Sequence, residues 1–281
     1  MIAAPLSDFL MTRFASPTSV GVWQTFVVMG VVYGAAMLAG AFGFRLPASD
    51  WKPEGWTAPA AKPLVTQRQV HVDQALKTPQ FYLLWLVLCL NVTAGIGVLG
   101  QASPMIQEVF KGRITATAAA GFVGLLSLFN MGGRIFWASL SDRLGRKMTY
   151  AVFFTLGPAL YALVPLAGRM GSVALFVGCF AVILTMYGGG FATIPAYLAD
   201  VFGARYVGGI HGRLLTAWSM AGVLGPVLVN YIRQNRLDHG VAVGEVYNVT
   251  MYVMVSLLIV AFFCNLSVRA VAERHYLRDG A

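Results

Sequence analysis

Charged residues are scarce in this sequence, since aspartate, glutamate, lysine and arginine together make up 11% of its 281 residues. A soluble globular protein has about 25%. Hydrophobic residues make up 58% of the chain, and its mean hydropathy is +0.70. These values exclude a disordered, a fibrous and an ordinary soluble protein. Cysteine is also rare, because the chain has three, all in apolar runs, which excludes a disulfide scaffold.

The few charged residues are separated by long uncharged runs. A membrane-spanning helix needs roughly 20 residues with few charges, and the gaps between charges predict seven such helices. The expected fold is therefore all-α, a polytopic membrane helix bundle, because a helix satisfies every backbone polar group within the segment. The predicted helices are approximately 20–44, 80–104, 115–139, 148–167, 172–199, 212–233 and 247–269.

The connections between these helices carry unequal positive charge. When alternate connections are assigned to the same side, one side holds 13 of the 20 lysines and arginines and the other holds 6. The positive-inside rule then predicts that the richer side and the C-terminus are cytoplasmic and that the N-terminus is outside. Topology thus explains the net charge of +9, and basic residues spread over short loops do not indicate nucleic-acid binding.

One long connection divides the chain. Residues 46–79 are predicted to form a central cytoplasmic loop, between a first part at 1–45, which holds an outer start and the first helix, and a six-helix part at 80–271 with a tail at 272–281. The six helices split into two triplets, and the first helix of each triplet contains glycine and proline. Paired interruptions of this kind are typical of a transporter site, while close helix packing through small residues is an open alternative. The residues concerned are Gly95, Gly97, Gly188, Gly189, Gly190 and Pro195.

Patterns that would indicate other classes of membrane protein are missing. No lysine follows Lys147, so the last predicted helix has none to hold retinal. The histidines lie in loops or at helix ends, which leaves an intramembrane hydrolase without its base, and no cysteine–histidine cluster has metal-ligand spacing. A Gly-x-Gly-x-x-Gly pattern at 95–100 lies inside an uncharged run, where it does not predict dinucleotide binding. We therefore expect no enzyme activity, no cofactor and no metal; a self-contained seven-helix receptor or sensor is the alternative to transport.

Arg134 is the one ionisable side chain predicted deep within a helix, eight residues or roughly 12 Å before Asp142. A charge at this depth usually faces the bundle interior or a cavity. Guanidinium stays charged and binds a carboxylate through two hydrogen bonds, so Arg134 is a candidate anion ligand. The alternative is a structural arginine that reaches the membrane surface or helix carbonyls. Polar residues recur every three to four positions around it, which predicts one inward-facing stripe of Ser127, Asn130, Arg134, Trp137 and Ser141.

A family resemblance rests first on the stretch Asn130-Met-Gly-Gly-Arg-Ile-Phe-Trp-Ala-Ser-Leu-Ser-Asp-Arg-Leu-Gly-Arg-Lys147, which joins the second and third of the six helices through a predicted turn at 140–147. It resembles the loop signature of the major facilitator superfamily, with Ala138 where that signature usually has glycine. Four further stretches are similar to the oxalate/formate antiporter family: 51–56, 91–97, 100–104 and 187–200.

This resemblance implies a secondary transporter of small carboxylates with twelve helices, working by antiport or symport. The chain would contain the last helix of the N-terminal half and the whole C-terminal half, and residues 1–11 would end the preceding helix. The bilayer and a missing N-terminal half would be its partners, and a bacterial plasma (inner) membrane its location. The resemblance assigns conformational gating to Gly133, Asp142, Arg143, Gly145, Arg146, Lys147 and Asp200.

The expected substrate follows from one position at which this chain differs from the family it resembles. The oxalate-binding member of that family has a lysine in its penultimate helix, where this chain has Trp218. One intramembrane cation suits a monocarboxylate such as formate, lactate or pyruvate better than a dianion. No carboxylate is predicted deep in a helix, so coupling is expected by exchange or through the missing half. The candidate substrate contacts are Asn91, Gln101, Asn130, Arg134, Tyr187 and Trp218.

Overall fold

Seven helices among the described residues are long and apolar enough to cross a membrane, as the spacing of charges predicts. The computed structural model describes residues 3–45, 51, 54–55 and 65–277. The chain divides into two compact units, 1–60 and 61–281. Trp56 and most of the predicted central loop, at 46–50, 52–53 and 56–64, lie outside the described residues.

The first unit consists of two helices that pack against each other. Helix α1 spans Ala3–Phe14 and helix α2 spans Val22–Gly43. Gly21 precedes α2 with a φ of +73°, and a Cβ there would lie 2.8 Å from the Phe14 side chain. Only glycine fits this conformation and this close approach without strain.

The second unit contains the other helices of the described chain. They are α3 (Val72–Ala75), α4 (Pro79–Val109), α5 (Ala116–Leu144), α6 (Arg146–Arg169), α7 (Val173–Phe202), α8 (Val207–Leu214), α9 (Thr216–Asp238) and α10 (Asn248–Ser267). Side-chain oxygens of Thr78, Thr115 and Ser172 cap the N-termini of α4, α5 and α7 by accepting backbone N–H bonds.

Several helices continue past their predicted ends. Helices α4 and α9 each extend five residues further, to Val109 and Asp238. The predicted turn at 140–147 is wrong in extent, because Gly145 alone separates α5 from α6. Its φ of +86° is one that glycine adopts readily. Charge gaps mark the apolar middle of each helix, whereas the backbone stays helical through the charged turns at its ends.

The turns define two ends of the second unit. The Gly145 end comprises the α5–α6 turn, the start of α4 and the last turns of α7 and α10. The Gly171 end comprises the α4–α5, α6–α7 and α9–α10 connections. The two names are used in this sense below.

Contacts between the two triplets follow a regular pattern. Helix α4 packs most extensively against α9, α5 against α7, and α6 against α10. The first helix of each triplet therefore packs against the second helix of the other triplet, and the two third helices pack against each other. The pattern is unchanged when the triplets are exchanged, as expected for two repeats related by a two-fold axis.

Glycines allow close backbone contact at the two equivalent crossings, α5 with α7 and α4 with α9. Where α5 meets α7, a Cβ on Gly133 would overlap the backbone of Thr185. Where α4 meets α9, a Cβ on Gly97 would lie 3.1 Å from the carbonyl oxygen of Gly225. Lipid tails are as apolar as the helices, so association depends on close packing, which small residues permit.

The predicted interruptions of α4 and α7 are wrong, because both helices are continuous. Carbonyls in this part of α7 have side-chain donors as well: Thr193 Oγ1 donates to Gly189 O over 2.9 Å, and the Tyr150 hydroxyl donates to Gly190 O over 2.5 Å. Such bonds help a helix to tolerate glycine and proline within a membrane. The glycine contacts instead fit the alternative of close packing. The helix runs unbroken through Gly95, Gly97, Gly188, Gly189, Gly190 and Pro195.

Two further buried tyrosines tie helices together through their hydroxyls. Tyr161 on α6 donates to Ala94 O on α4 over 2.8 Å. Tyr197 on α7 donates to Asn265 Oδ1 on α10 over 3.1 Å. A buried hydroxyl without a partner would be costly, so these bonds favour one arrangement of the four helices over its alternatives.

Gly133→Ala should destabilise the bundle, because the added methyl group would overlap the α7 backbone, which cannot move aside as a side chain can. We expect a loss of about 2–3 kcal/mol in unfolding free energy, in the upper range for overpacked cores. Gly132→Ala is the matched control, since nothing lies within 4 Å of a Cβ there. Unfolding of both variants in detergent measures the difference, and equal stabilities would contradict the assigned contact.

Candidate functional site

Arg134 lies at the edge of the contact between α5 and α7. Its neighbour Gly133 is the residue whose backbone meets Thr185, while the Arg134 side chain is exposed on the surface of the second unit. Arg134 Nε lies 3.4 Å from Asn130 Oδ1, one helical turn earlier. The amide oxygen of Asn130 therefore accepts from the guanidinium and orients it.

An aromatic side chain from α7 lies beside Arg134 and packs in turn against one from α9. The guanidinium carbon lies 5.2 Å from the centre of the Phe191 ring, within the range of cation–π attraction. The Phe191 ring packs against Trp218, with ring centres 4.9 Å apart. Tyr187, one turn before Phe191, interacts with Arg134 and Trp218. These residues form the arginine–aromatic cluster: Asn130, Arg134, Tyr187, Phe191 and Trp218.

Glycines allow α4, α5 and α7 to approach one another closely beside this cluster. A Cβ on Gly95 of α4 would overlap the Tyr187 ring, and one on Gly188 of α7 would overlap the Asn130 carbonyl. A Cβ on Gly189 would lie 2.6 Å from Trp137. The glycines predicted to interrupt helices thus position the polar side chains of the cluster by close approach.

The predicted inward-facing stripe on α5 is only partly correct. Trp137 and Ser141 are buried and Asn130 is half-buried, but Ser127 and Arg134 are exposed. At about 100° per residue, Ser127 and Arg134 lie at the edge of the arc that meets the other helices. Arg134 therefore borders the bundle surface instead of its interior.

Two predicted substrate contacts lie away from the cluster. Gln101 Nε2 donates to Asn230 Oδ1 over 2.8 Å, which joins α4 to α9. Asn91 is buried, and its side chain lies 2.6 Å from where a Cβ of Gly190 would be. Asn91 and Tyr187 both line one small cavity. Sequence reasoning missed Phe191, although it follows Tyr187 by one helical turn.

Three of the residues predicted for gating, Asp142, Arg146 and Asp200, meet at the Gly145 end, whereas Gly133 lies at the α5–α7 crossing. Arg146 Nη2 lies 2.5 Å from Asp142 Oδ1, and Arg146 Nε lies 3.7 Å from Asp200 Oδ2. Arg146 also donates to Ser141 Oγ. One arginine, whose side chain is 17% exposed, therefore connects α5, α6 and α7. Arg143 is exposed at the end of α5.

Lys147 has a different role from its neighbour Arg146. Its Nζ donates to the carbonyls of Leu266 and Val268, over 2.7 and 2.6 Å. Asn265 Nδ2 donates back to the Lys147 carbonyl over 2.9 Å. A cation is favourable at a helix C-terminus, where carbonyls are unpaired, so Lys147 joins α6 to the end of α10.

The described end of the central loop packs around this network. The N–H of Thr66 donates to the Asp200 carbonyl and the N–H of Val70 donates to the Phe202 carbonyl, both over 2.9 Å. The N–H of Leu277 donates to the Gln69 carbonyl over 2.8 Å. Loop and tail therefore meet at the last turn of α7, which carries Asp200.

A separate ion pair lies at the Gly171 end. Glu108 on α4 binds Arg233 on α9 through both carboxylate oxygens, and Arg233 Nε also lies 3.0 Å from the Tyr247 hydroxyl. The sequence prediction missed this pair, because the predicted α4 and α9 ended before or at these residues. It ties the α4–α9 crossing to the start of α10.

The arginine–aromatic cluster has the chemistry of a binding site. It offers an anion one permanent positive charge, a planar set of N–H donors and apolar ring surface, and it contains no acid, histidine or cysteine. No group of three or more metal-ligating side chains occurs among the residues that the structure describes.

Comparison with protein families finds one match over most of the chain, to the Major Facilitator Superfamily across residues 1–226. The oxalate:formate antiporter of Oxalobacter formigenes is 29% identical over 205 residues, which cover 73% of this chain and 46% of that protein. The uncharacterized MFS-type transporter YhjX of Escherichia coli (strain K12) is 23% identical over 73% of this chain and 48% of its own length. The chain thus spans about half the length of these relatives.

Two further similarities concern a shorter segment and the fold. Apicoplast pyruvate carrier 2 of Toxoplasma gondii is 30% identical over 111 residues, 39% of this chain and 16% of that protein. A bacterial homologue of the human lysosomal transporter Spinster, solved in an inward-facing and unoccupied conformation, has a TM-score of 0.58 at 16% identity. It matches 96% of this chain and 67% of its own, and shows the fold alone.

Arg146→Gln should loosen the Gly145 end, because it leaves two carboxylates without the cation that joins them. We expect a loss of about 1.5–3 kcal/mol, typical of hydrogen bonds to charged groups, measured by unfolding in detergent. Hydrogen exchange should also rise in the last turn of α7. Arg143→Gln removes the same charge three residues away and should stay within about 0.5 kcal/mol of the parent. A similar loss in both variants would make the effect one of net charge.

Proposed function

Because this chain belongs to the Major Facilitator Superfamily, we propose that it forms part of a secondary transporter that carries a small carboxylate across a membrane. The chain is an integral membrane protein with seven apolar helices in its described part. Two matched relatives are named for oxalate and formate and for pyruvate, which are all small carboxylates. The family does not favour the alternative of a self-contained receptor, and we propose transport instead of catalysis.

The position of Arg134 carries this proposal. Among the described residues, it is the only charged side chain more than two turns from both ends of its spanning helix. It lies ten residues, or roughly 15 Å, from the end of α5, about half the thickness of a bilayer core. A charge at that depth is expensive and usually serves a pathway or a ligand.

We infer a monocarboxylate from the make-up of the cluster. One guanidinium can bind one carboxylate through paired hydrogen bonds. The Phe191 ring lies beside the guanidinium and packs against the Trp218 ring. These rings offer apolar surface to a hydrogen or a short carbon chain, as in formate, lactate or pyruvate. A second carboxylate would meet no second cation within the cluster. Exchange is the proposed coupling, with proton symport through another part of the transporter as the alternative.

We propose that the complete transporter contains a second set of helices facing the arginine–aromatic cluster. The exposure of Arg134 supports this, because a substrate-binding charge has to be shielded from lipid. Alternating access also needs two halves that move around one site. In this proposal, residues 80–271 form one half, 46–79 the central loop and 272–281 a tail.

The proposed orientation puts the Gly145 end in the cytoplasm, together with the C-terminus, and the N-terminus outside. Its support is the excess of lysine and arginine in the connections at that end. Two matched relatives are bacterial, and we propose a bacterial plasma membrane as the location.

Arg134→Gln should abolish tight substrate binding. Losing a charge-assisted partner for a desolvated anion costs about 2–5 kcal/mol, or about 30- to several-thousand-fold in affinity. Arg134→Lys should also lose at least about tenfold, because ammonium lacks the planar set of donors. Thermal-shift titration with formate, lactate and pyruvate, and uptake by the full-length transporter in liposomes, measure both effects.

Lys77→Gln is the control for Arg134→Gln, because it removes an exposed cation outside the cluster. It should leave affinity within about twofold. A folded Arg134→Gln protein that binds its carboxylate as tightly as the parent would make Arg134 a structural residue. The site would then have to lie elsewhere in the transporter.

Asp142→Asn should slow transport at saturating substrate while leaving affinity within about threefold. Its pair with Arg146 is partly exposed, and an exposed pair contributes about 0–1 kcal/mol. A large change in rate would therefore require that the network opens and closes during transport. Asp73→Asn removes another acid at the Gly145 end, one that pairs with Arg213, and should leave the rate unchanged. Loss of binding in Asp142→Asn would exclude the gating role.

A further inference from the structure

A cleft of about 470 Å³ opens at the Gly171 end, remote from the arginine–aromatic cluster. Residues of the α4–α5, α6–α7 and α9–α10 connections line it. Three basic side chains are among the lining residues: Lys111 and Arg113 from the α4–α5 connection, and Arg169 from the last turn of α6. Its size is within the range of small-molecule sites, about 300–1,000 Å³. Arg134 lies 18 residues along α5 from this end, roughly 27 Å away along the helix axis.

The acid that lines this cleft is already paired. Glu108 is the acidic residue in its wall, and both its carboxylate oxygens bind Arg233, which lies outside the cleft lining. Arg233 therefore balances the charge of Glu108. The cleft is left with the positive charges of Lys111, Arg113 and Arg169.

Arg113 is held in place across two of the connections. Its Nη1 donates to the carbonyl of Gly171 over 3.2 Å. Gly171 has a φ of +62°, and a Cβ there would lie 2.9 Å from the same nitrogen. The guanidinium thus lies directly against this glycine, and the contact uses one of its five N–H donors. Arg113 is therefore part of the cleft wall. Lys111 and Arg169, which also line the cleft, are exposed.

We propose that this cleft binds small carboxylates from solution, as a second site at the membrane surface. Cations that converge on a cleft raise the local concentration of anions and speed their association. The positive-inside rule does not explain these three cations, since the proposed orientation puts this end outside. The orientation and the identity of the anion rest on the proposed function, whereas the binding itself rests on the cleft and its cations.

The test uses the full 281-residue chain in phosphatidylcholine nanodiscs at low ionic strength, with ¹³C-formate as the probe and saturation-transfer NMR as the readout. Arg134→Gln is introduced first, so that the remaining signal reports binding outside the arginine–aromatic cluster. In that background, Lys111→Gln/Arg169→Gln should reduce formate binding at least about fivefold. Arg113 is kept, because its bond to Gly171 joins two connections. Binding should weaken as salt is added, since added ions screen exposed charges over about 8 Å at 0.15 M.

The matched control is Lys77→Gln/Arg236→Gln, which removes two cations that do not line the cleft. It should change formate binding less than about twofold. An equal loss in both double variants would overturn the proposal in favour of net charge. No formate binding in Arg134→Gln would also overturn it, and would leave the proposed function intact. Displacement of formate when phosphatidylglycerol replaces phosphatidylcholine would overturn the assignment to a solute, in favour of a lipid headgroup.

A loss of formate binding in Lys111→Gln/Arg169→Gln, with Arg134→Gln alone leaving the total signal unchanged, would support the cleft and count against the arginine–aromatic cluster. The two proposals therefore fail independently. Folding of every variant is checked by its unfolding transition in detergent before binding is measured.

Discussion

The direct contact between the backbones of α5 and α7 is the constraint on which the candidate site depends. Gly133 meets the backbone of Thr185, and any side chain at that position would separate the helices. Arg134 follows Gly133 directly, and Phe191 follows Gly188 by three residues on the opposing helix. The spacing between guanidinium and ring is therefore set by helix packing, because the two residues are fixed to backbones that touch. Glycine here determines the geometry of a charged side chain that it does not contact.

The equivalent crossing of α4 and α9 uses the same device with a different result. Gly97 and Gly225 meet there as backbones, and Gln101 bonds to Asn230 beside them. A hydrogen bond between neutral amides joins the helices at this crossing, and neither amide carries a charge. The α5–α7 crossing instead carries a permanent charge at its edge. Two repeats with one packing pattern thus contain one structural crossing and one candidate binding crossing, and the difference lies in the polar side chains, not in the backbone.

Charge spacing predicted the number and order of the spanning helices, since the hydrocarbon core excludes charge regardless of detailed packing. The family resemblance predicted that Asp142, Arg146 and Asp200 belong together, although the predicted turn at 140–147 is a single glycine in the structure. Sequence reasoning could not predict which residues Asn91 and Gln101 contact, because the direction of a side chain on a helix depends on how neighbouring helices are rotated. Their role as substrate contacts stays a prediction. Sequence reasoning missed Glu108 and Arg233 for another reason: helices continue beyond the apolar core, and pairs between their ends form across the bundle. The local sequence pattern thus specifies the helices, while the crossing angles and lengths of the helices determine which side chains contact each other.

The distribution of ion pairs gives the remaining argument about Arg134. The described pairs within the spanning helices, Arg146 with its two aspartates and Arg233 with Glu108, lie within two turns of helix ends. There, water can share the cost of charge. Arg134 lies in the middle of α5, and its contacts in the described chain are a neutral amide and aromatic rings. An amide and a ring face compensate for lost hydration less well than a carboxylate does. Under the proposed function, a bound carboxylate would supply this compensation, which adds an energetic argument to the geometric one for an anion beside Arg134.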